Sequence, residues 1–124
     1  MEYINYEKYL REFEKKEYER ELRVSKQLLE AYQDIKEVVV PVMKQYIKLT
    51  PNKDFKKTAQ TLLLMCDIGE AQLQPVCNNA KKTTLKELRI MNNNFCMSME
   101  IVQKKYIDIV TKEFPENFEN GFGV

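Results

Sequence analysis

No glycine or proline interrupts the first forty residues of this chain, and only three glycines and four prolines occur in all 124. Long unbroken elements follow from that scarcity, because these two residues most often punctuate regular structure. The apolar residues decide which element it is. Leu28, Tyr32, Ile35, Val39, Val42, Tyr46 and Leu49 recur at steps of four and three. Phe55, Ala59, Leu62, Cys66, Gly69, Leu73, Val76 and Ala80 repeat the pattern. Leu88, Asn92, Phe95, Met99, Val102, Tyr106 and Ile109 do so a third time. This spacing puts each set on one face of an α-helix. Leu63, Met91, Ile101 and Val110 widen the faces, as a bundle core requires. The one strand-like patch, Val38 to Val42, contains Pro41 and lies inside a helical stripe.

These patterns predict helices over 2–49, 53–79 and 84–114. Thr50 and Pro51 suit the cap and first position of the second helix. Asn78 and Asn79 mark its end, and Thr84 with Glu87 has capping-box spacing for the third. Pro41 is expected to kink the first helix or to break it, giving four helices, and Pro75 to do likewise in the second. The predicted fold is therefore all-α: an antiparallel three-helix bundle with a long first helix, left-handed by its 3.5-residue period. Residues 1–114 make one domain, and 115–124, with Phe118 and Phe122 after Phe114, a flexible tail.

The helices are unequal. At about 1.5 Å per residue they measure ~72, ~40 and ~46 Å. Short connections fold the second helix back along roughly residues 22 to 49 of the first. Residues 2 to 21 are then expected to project. That stretch carries Tyr3, Tyr6, Leu10 and Phe13 in one seam, flanked by Tyr9 and Tyr18. Glu7–Arg11, Glu12–Lys16 and Glu19–Arg23 have the Glu-first spacing that supports an isolated helix. An aromatic seam without cover marks an interface. The alternative is a bend near Glu14 to Glu21 that folds the segment back as a further helix.

Composition bears on chemistry. Lys plus Arg number 20 against 19 acids, a net charge of +1, which disfavours a strongly basic nucleic-acid binder. Histidine is absent, so the usual base near neutral pH is missing, and no phosphate-binding glycine loop occurs. Catalytic and metal-binding residues are accordingly expected to be none, and no cofactor is implied. Asp67 and Glu70 are read as stripe-edge carboxylates reaching solvent or a lysine, with a buried acid or metal ligand as the alternative. Cys66, Cys77 and Cys96 are an odd set, and no apolar leader follows Met1. Reduced thiols in a cytoplasmic protein are the expectation. Cys66 should face Cys96 and Met97, with Met65 and Met99 nearby. Core packing is preferred there over a soft-metal site. Asn92 is expected to turn to the edge of its stripe. The longest apolar run, Val38 to Met43, is too short to span a membrane.

The functional expectation is a non-catalytic helical interaction module of adaptor, chaperone or inhibitor/immunity type. It would self-associate or bind a partner helix through Tyr3, Tyr6, Tyr9, Leu10 and Phe13. One alternative is a nucleic-acid-associated regulator using Lys53, Lys56 and Lys57 or Lys81, Lys82 and Lys86. The other is a small metal- or thiol-dependent protein.

Overall fold

The computed structural model describes residues 6–113; Tyr3 and the segment from Phe114 to Val124 lie outside them. Three helices account for nearly all of it: α1 (Tyr6–Leu49), α2 (Lys53–Cys77) and α3 (Leu85–Glu113). They pack on one another as the predicted all-α three-helix bundle. α2 runs antiparallel to the other two, so α1 and α3 are parallel. Lys36 of α1 meets Asp67 and Glu70 of α2, while Ser25 and Tyr32 of α1 meet Asn92 and Phe95 of α3.

Neither proline breaks its helix; Pro41 and Pro75 both lie inside continuous α-helix. The four-helix and fold-back arrangements are thereby excluded for the described residues. Pro41 sits on the exposed side of α1, where its missing N–H is tolerated because water can solvate the orphaned carbonyl.

The helix ends are set by side chains. α2 starts two residues later than Thr50 and Pro51 suggest, at the Lys53 that the stripe predicts. Asn52 is its cap and accepts hydrogen bonds from the Asp54 and Phe55 amides, while the Thr50 hydroxyl accepts from the Asn52 amide. At the other end Asn79 takes a left-handed φ of 59°, which asparagine adopts more readily than most residues. The chain then turns so that the Ala80 and Lys81 amides reach the Pro75 carbonyl. Thr84 and Glu87 form the expected reciprocal cap of α3.

The core follows the three stripes and is layered along the axis. The larger cluster includes Val39, Met43, Tyr46, Leu62, Cys66, Val102, Tyr106 and Ile109. Nearer the N-terminal end of α1, Tyr32, Leu73 and Met99 form a second cluster with Phe95 packed against it. The Tyr32 and Phe95 rings meet edge to face, centroids 6.0 Å apart, and the Tyr32 hydroxyl donates to the Phe95 carbonyl. Gly69 gives that ring its space, since a Cβ there would come within 2.5 Å of it. Two stripe positions depart from expectation. Leu49 is exposed because α1 ends there, and Ala80 lies in the loop after α2.

Candidate functional site

Beyond the Tyr32 layer the interior holds a buried polar pair, Ser25 and Asn92, beside the fully buried Leu88. Asn92, on the core stripe of α3, is buried rather than turned to the edge. Its side-chain oxygen accepts from the Ser25 hydroxyl at 2.6 Å. Its nitrogen donates to the Glu21 carbonyl and the Glu21 carboxylate, both at 2.9 Å. Partners on α1 outweigh the cost of burying an amide, because every polar atom of the group is satisfied. One turn further, Arg89 grips Glu17 at 3.1 Å and lies 3.8 Å from Glu21. The Tyr18 hydroxyl meets the Thr83 hydroxyl at 3.3 Å.

These contacts correct the length of the overhang. α2 ends level with about Lys26, but the loop after it climbs alongside α1. α3 consequently starts beside Glu14 to Glu17, where Glu14 shares a cleft with Thr84, Leu85 and Arg89. Cover therefore begins at Glu17 rather than at residue 22. Among the described residues the uncovered stretch is Tyr6 to Lys16, all of it exposed.

Four predicted site residues lie on that stretch and are brought onto one side of it. Tyr6, Tyr9, Leu10 and Phe13 are 71%, 57%, 50% and 51% exposed. Tyr3, the fifth, lies outside the described residues. Glu17, Glu21 and Arg89, with the buried pair Ser25 and Asn92 and the buried Leu88, lie between this seam and the two core clusters. The direction of the seam follows from spacing. Tyr6, Leu10, Phe13 and Glu17 step by four, three and four, and Glu17 is the residue that Arg89 of α3 holds. The seam thus extends the track on which α3 packs, beyond the point where α3 begins. The expected Glu-first pairs do not close as ion pairs; Arg11 donates instead to the Glu7 main-chain carbonyl, and Arg20 pairs with Glu17.

α3 ends beside Tyr46 and Thr50, about 54 Å along α1 from Leu10.

The other candidates are placed as follows. Asp67 and Glu70 edge the stripe and pair with Lys36 at 2.9 and 3.4 Å. The Asp67 hydrogen bond raises the Lys36 pKa despite partial burial. Cys66 is buried and Cys96 exposed. Burial, with Asp67 beside it, pushes the Cys66 thiol up, and burial pushes Cys77 up as well. Both are therefore held as thiols at neutral pH, the poorer form for attack or metal binding. No three Cys, Asp or Glu side chains among the described residues come together where an ion could sit. Lys53, Lys56 and Lys57 lie at one end of α2 and Lys81, Lys82 and Lys86 beyond the other, separated by its ~37 Å length. Among the described residues no helix is long and apolar enough to cross a membrane.

One surface escaped the sequence reading. Leu64 and Ile68 of α2 and Ile90, Met97 and Ile101 of α3 are exposed on the outer side of the bundle. A groove of about 520 Å³ runs between the two helices near Pro75 and Ile90. Ile101 had been read as widening the core. The signal was present in the four-residue step of Leu64 and Ile68 and in the Ile90, Met97, Ile101 spacing, but a stronger stripe on the opposite face masked it.

No protein-family model matches the chain, and neither a curated protein nor a solved structure matches it significantly.

Proposed function

We propose that this protein is a non-catalytic helical interaction module that buries its N-terminal seam against a helix of another polypeptide. The observation that carries this reading is the uncovered set Tyr6, Tyr9, Leu10 and Phe13, exposed on α1 before the level at which α3 begins. Large aromatic and leucine side chains held on a rigid helix make effective anchors, because little freedom is lost when they are covered. The bundle holds α1 in place, so the projecting turns are presented as helix rather than folded on contact.

Changing Tyr6, Leu10 and Phe13 together to glutamine tests the reading. Glutamine keeps helix propensity close to that of leucine. Circular dichroism should show the helix content and the unfolding midpoint nearly unchanged, while sedimentation shows loss of association. A variant that unfolds, or melts well below the parent, would mean that the seam is part of its own molecule's core and would sink the proposal.

A further inference from the structure

We infer that the outer groove between α2 and α3 is a docking site for a single helix of another protein, one whose buried face carries aliphatic side chains and no charge. This surface is separate from the N-terminal seam and does not rest on the reading of that seam.

Charge selects the partner. Charged residues make up 31% of the chain. Yet from Thr58 to Ala80 the only ones are Asp67 and Glu70, and Lys36 holds both toward α1. On α3 none occurs from Ile90 to Met99, and Arg89 just before them reaches to Glu17 of α1. Two neighbouring helices thus leave their outer sides neutral over the same stretch. Lys81 and Glu87 stand only at the loop end of the groove. A charge brought against this band would be buried without a counter-charge, which is costly. An acidic or basic segment finds nothing to pair with there. Depletion of charge at an exposed apolar centre is the compositional mark of a protein interface.

Spacing supplies the rungs. α2 and α3 run antiparallel, and Pro75 and Ile90 share the groove. Two turns further into each helix Ile68 lies level with Met97, and one turn beyond that Leu64 lies level with Ile101. All four are exposed. Between the first two rungs Gln72 and Asn94 place uncharged amides in the groove.

Shape selects one helix. A second copy of the same face would set groove against groove and leave the space between Pro75 and Ile90 unfilled on both molecules. A single convex helix fills it, as helices pack ridge into groove. The rungs from Leu64 to Pro75 span ~17 Å, about three turns. The partner face is thereby specified: aliphatic residues at i, i+4 and i+11, with an uncharged polar residue at i+7 opposite Gln72 and Asn94.

The probe is a synthetic helix of ~18 residues, long enough to hold its fold, with leucine at those three positions, glutamine at i+7 and alanine with Glu–Lys pairs elsewhere. Titrated into the isotope-labelled protein, it should shift the amide signals of Ile68, Ile90, Met97 and Ile101 and leave those of Tyr6 to Phe13 in place. Ile68→Lys and, on the other helix, Ile101→Lys should each weaken binding roughly tenfold or more, with helix content unchanged by circular dichroism. If a variant unfolds, glutamate in place of the i+4 leucine of the probe makes the same test on the unaltered protein. The glutamine triple variant of the seam should bind the probe as the parent does, so failure of the seam reading leaves this site standing. Equal binding of a scrambled probe, shifts on Tyr6 to Phe13 instead, or no shift at saturating probe overturns the proposal. So does a dimer of the protein alone that Ile68→Lys abolishes in sedimentation, because the groove then belongs to a second copy.

Discussion

Gly69 sits in the middle of α2, where glycine costs helix stability, and the ring of Tyr32 is the reason it is there. Alanine at 69 would gain ~1 kcal/mol of helix propensity. It would also drive a methyl group into the ring, and overpacking of that kind costs about 1–3 kcal/mol. Gly69→Ala should therefore lower the urea midpoint. In a Tyr32→Leu background the ring is gone and the same change should raise it; an equal effect in both backgrounds would contradict the packing account. Which residues are buried was legible in the sequence wherever an apolar side chain recurred at helical spacing, as Tyr32, Val39, Leu62 and Val102 do. Asn92 was not. Its burial depends on Ser25 and Glu21, some seventy positions away, and the residue's own polarity argued for the surface. The clash that fixes Gly69 was hidden for the same reason: it is a contact between elements, which periodicity does not encode.

At the scale of the element, the scarcity of breakers limited the helices to three, or four if a proline broke one, and local capping chemistry marked where they stop. Thr84 and Glu87 were readable because both partners lie within one turn. The cap of α2 was misread by two residues, although its first residue was not, because Thr50, Pro51 and Asn52 each carry a cap signal and only the backbone path chooses Asn52. Pro41 shows how much strain a helix end-to-end with core contacts absorbs. It supplies no N–H to the Glu37 carbonyl, yet Val39 and Met43 on the opposite side are fully buried and hold the helix together. Interior proline costs a helix ~3 kcal/mol, partly offset by the stiffer unfolded chain. Pro41→Ala, at an exposed position, should therefore stabilise the protein by about 1–3 kcal/mol in chemical denaturation. A loss of stability would contradict this account of Pro41. The overhang was legible as an inequality of helix lengths. Its extent was not, because the loop from Asn78 to Thr84 climbs beside α1 rather than crossing directly, and so carries the start of α3 to the level of Glu14 and Glu17.

For the molecule as a whole, the layers along the axis separate two kinds of apolar surface. The core, from Tyr46 through Tyr32, is sealed by the three stripes. The group of Ser25, Asn92, Glu21 and Arg89 closes that core toward the N-terminal end of α1. Past this closure the described part of α1 continues for about three turns, Tyr6 to Lys16, all of it exposed. Amides there are protected only by a lone helix, which opens easily, whereas those beside Val39 and Met43 exchange only when the bundle opens. Hydrogen–deuterium exchange, read peptide by peptide, tests this division most directly. Residues 6–16 should exchange far faster than 28–47 in dilute solution. Protection of 6–16 equal to that of the core in dilute solution would mean that the molecule covers its own seam, and would contradict the account.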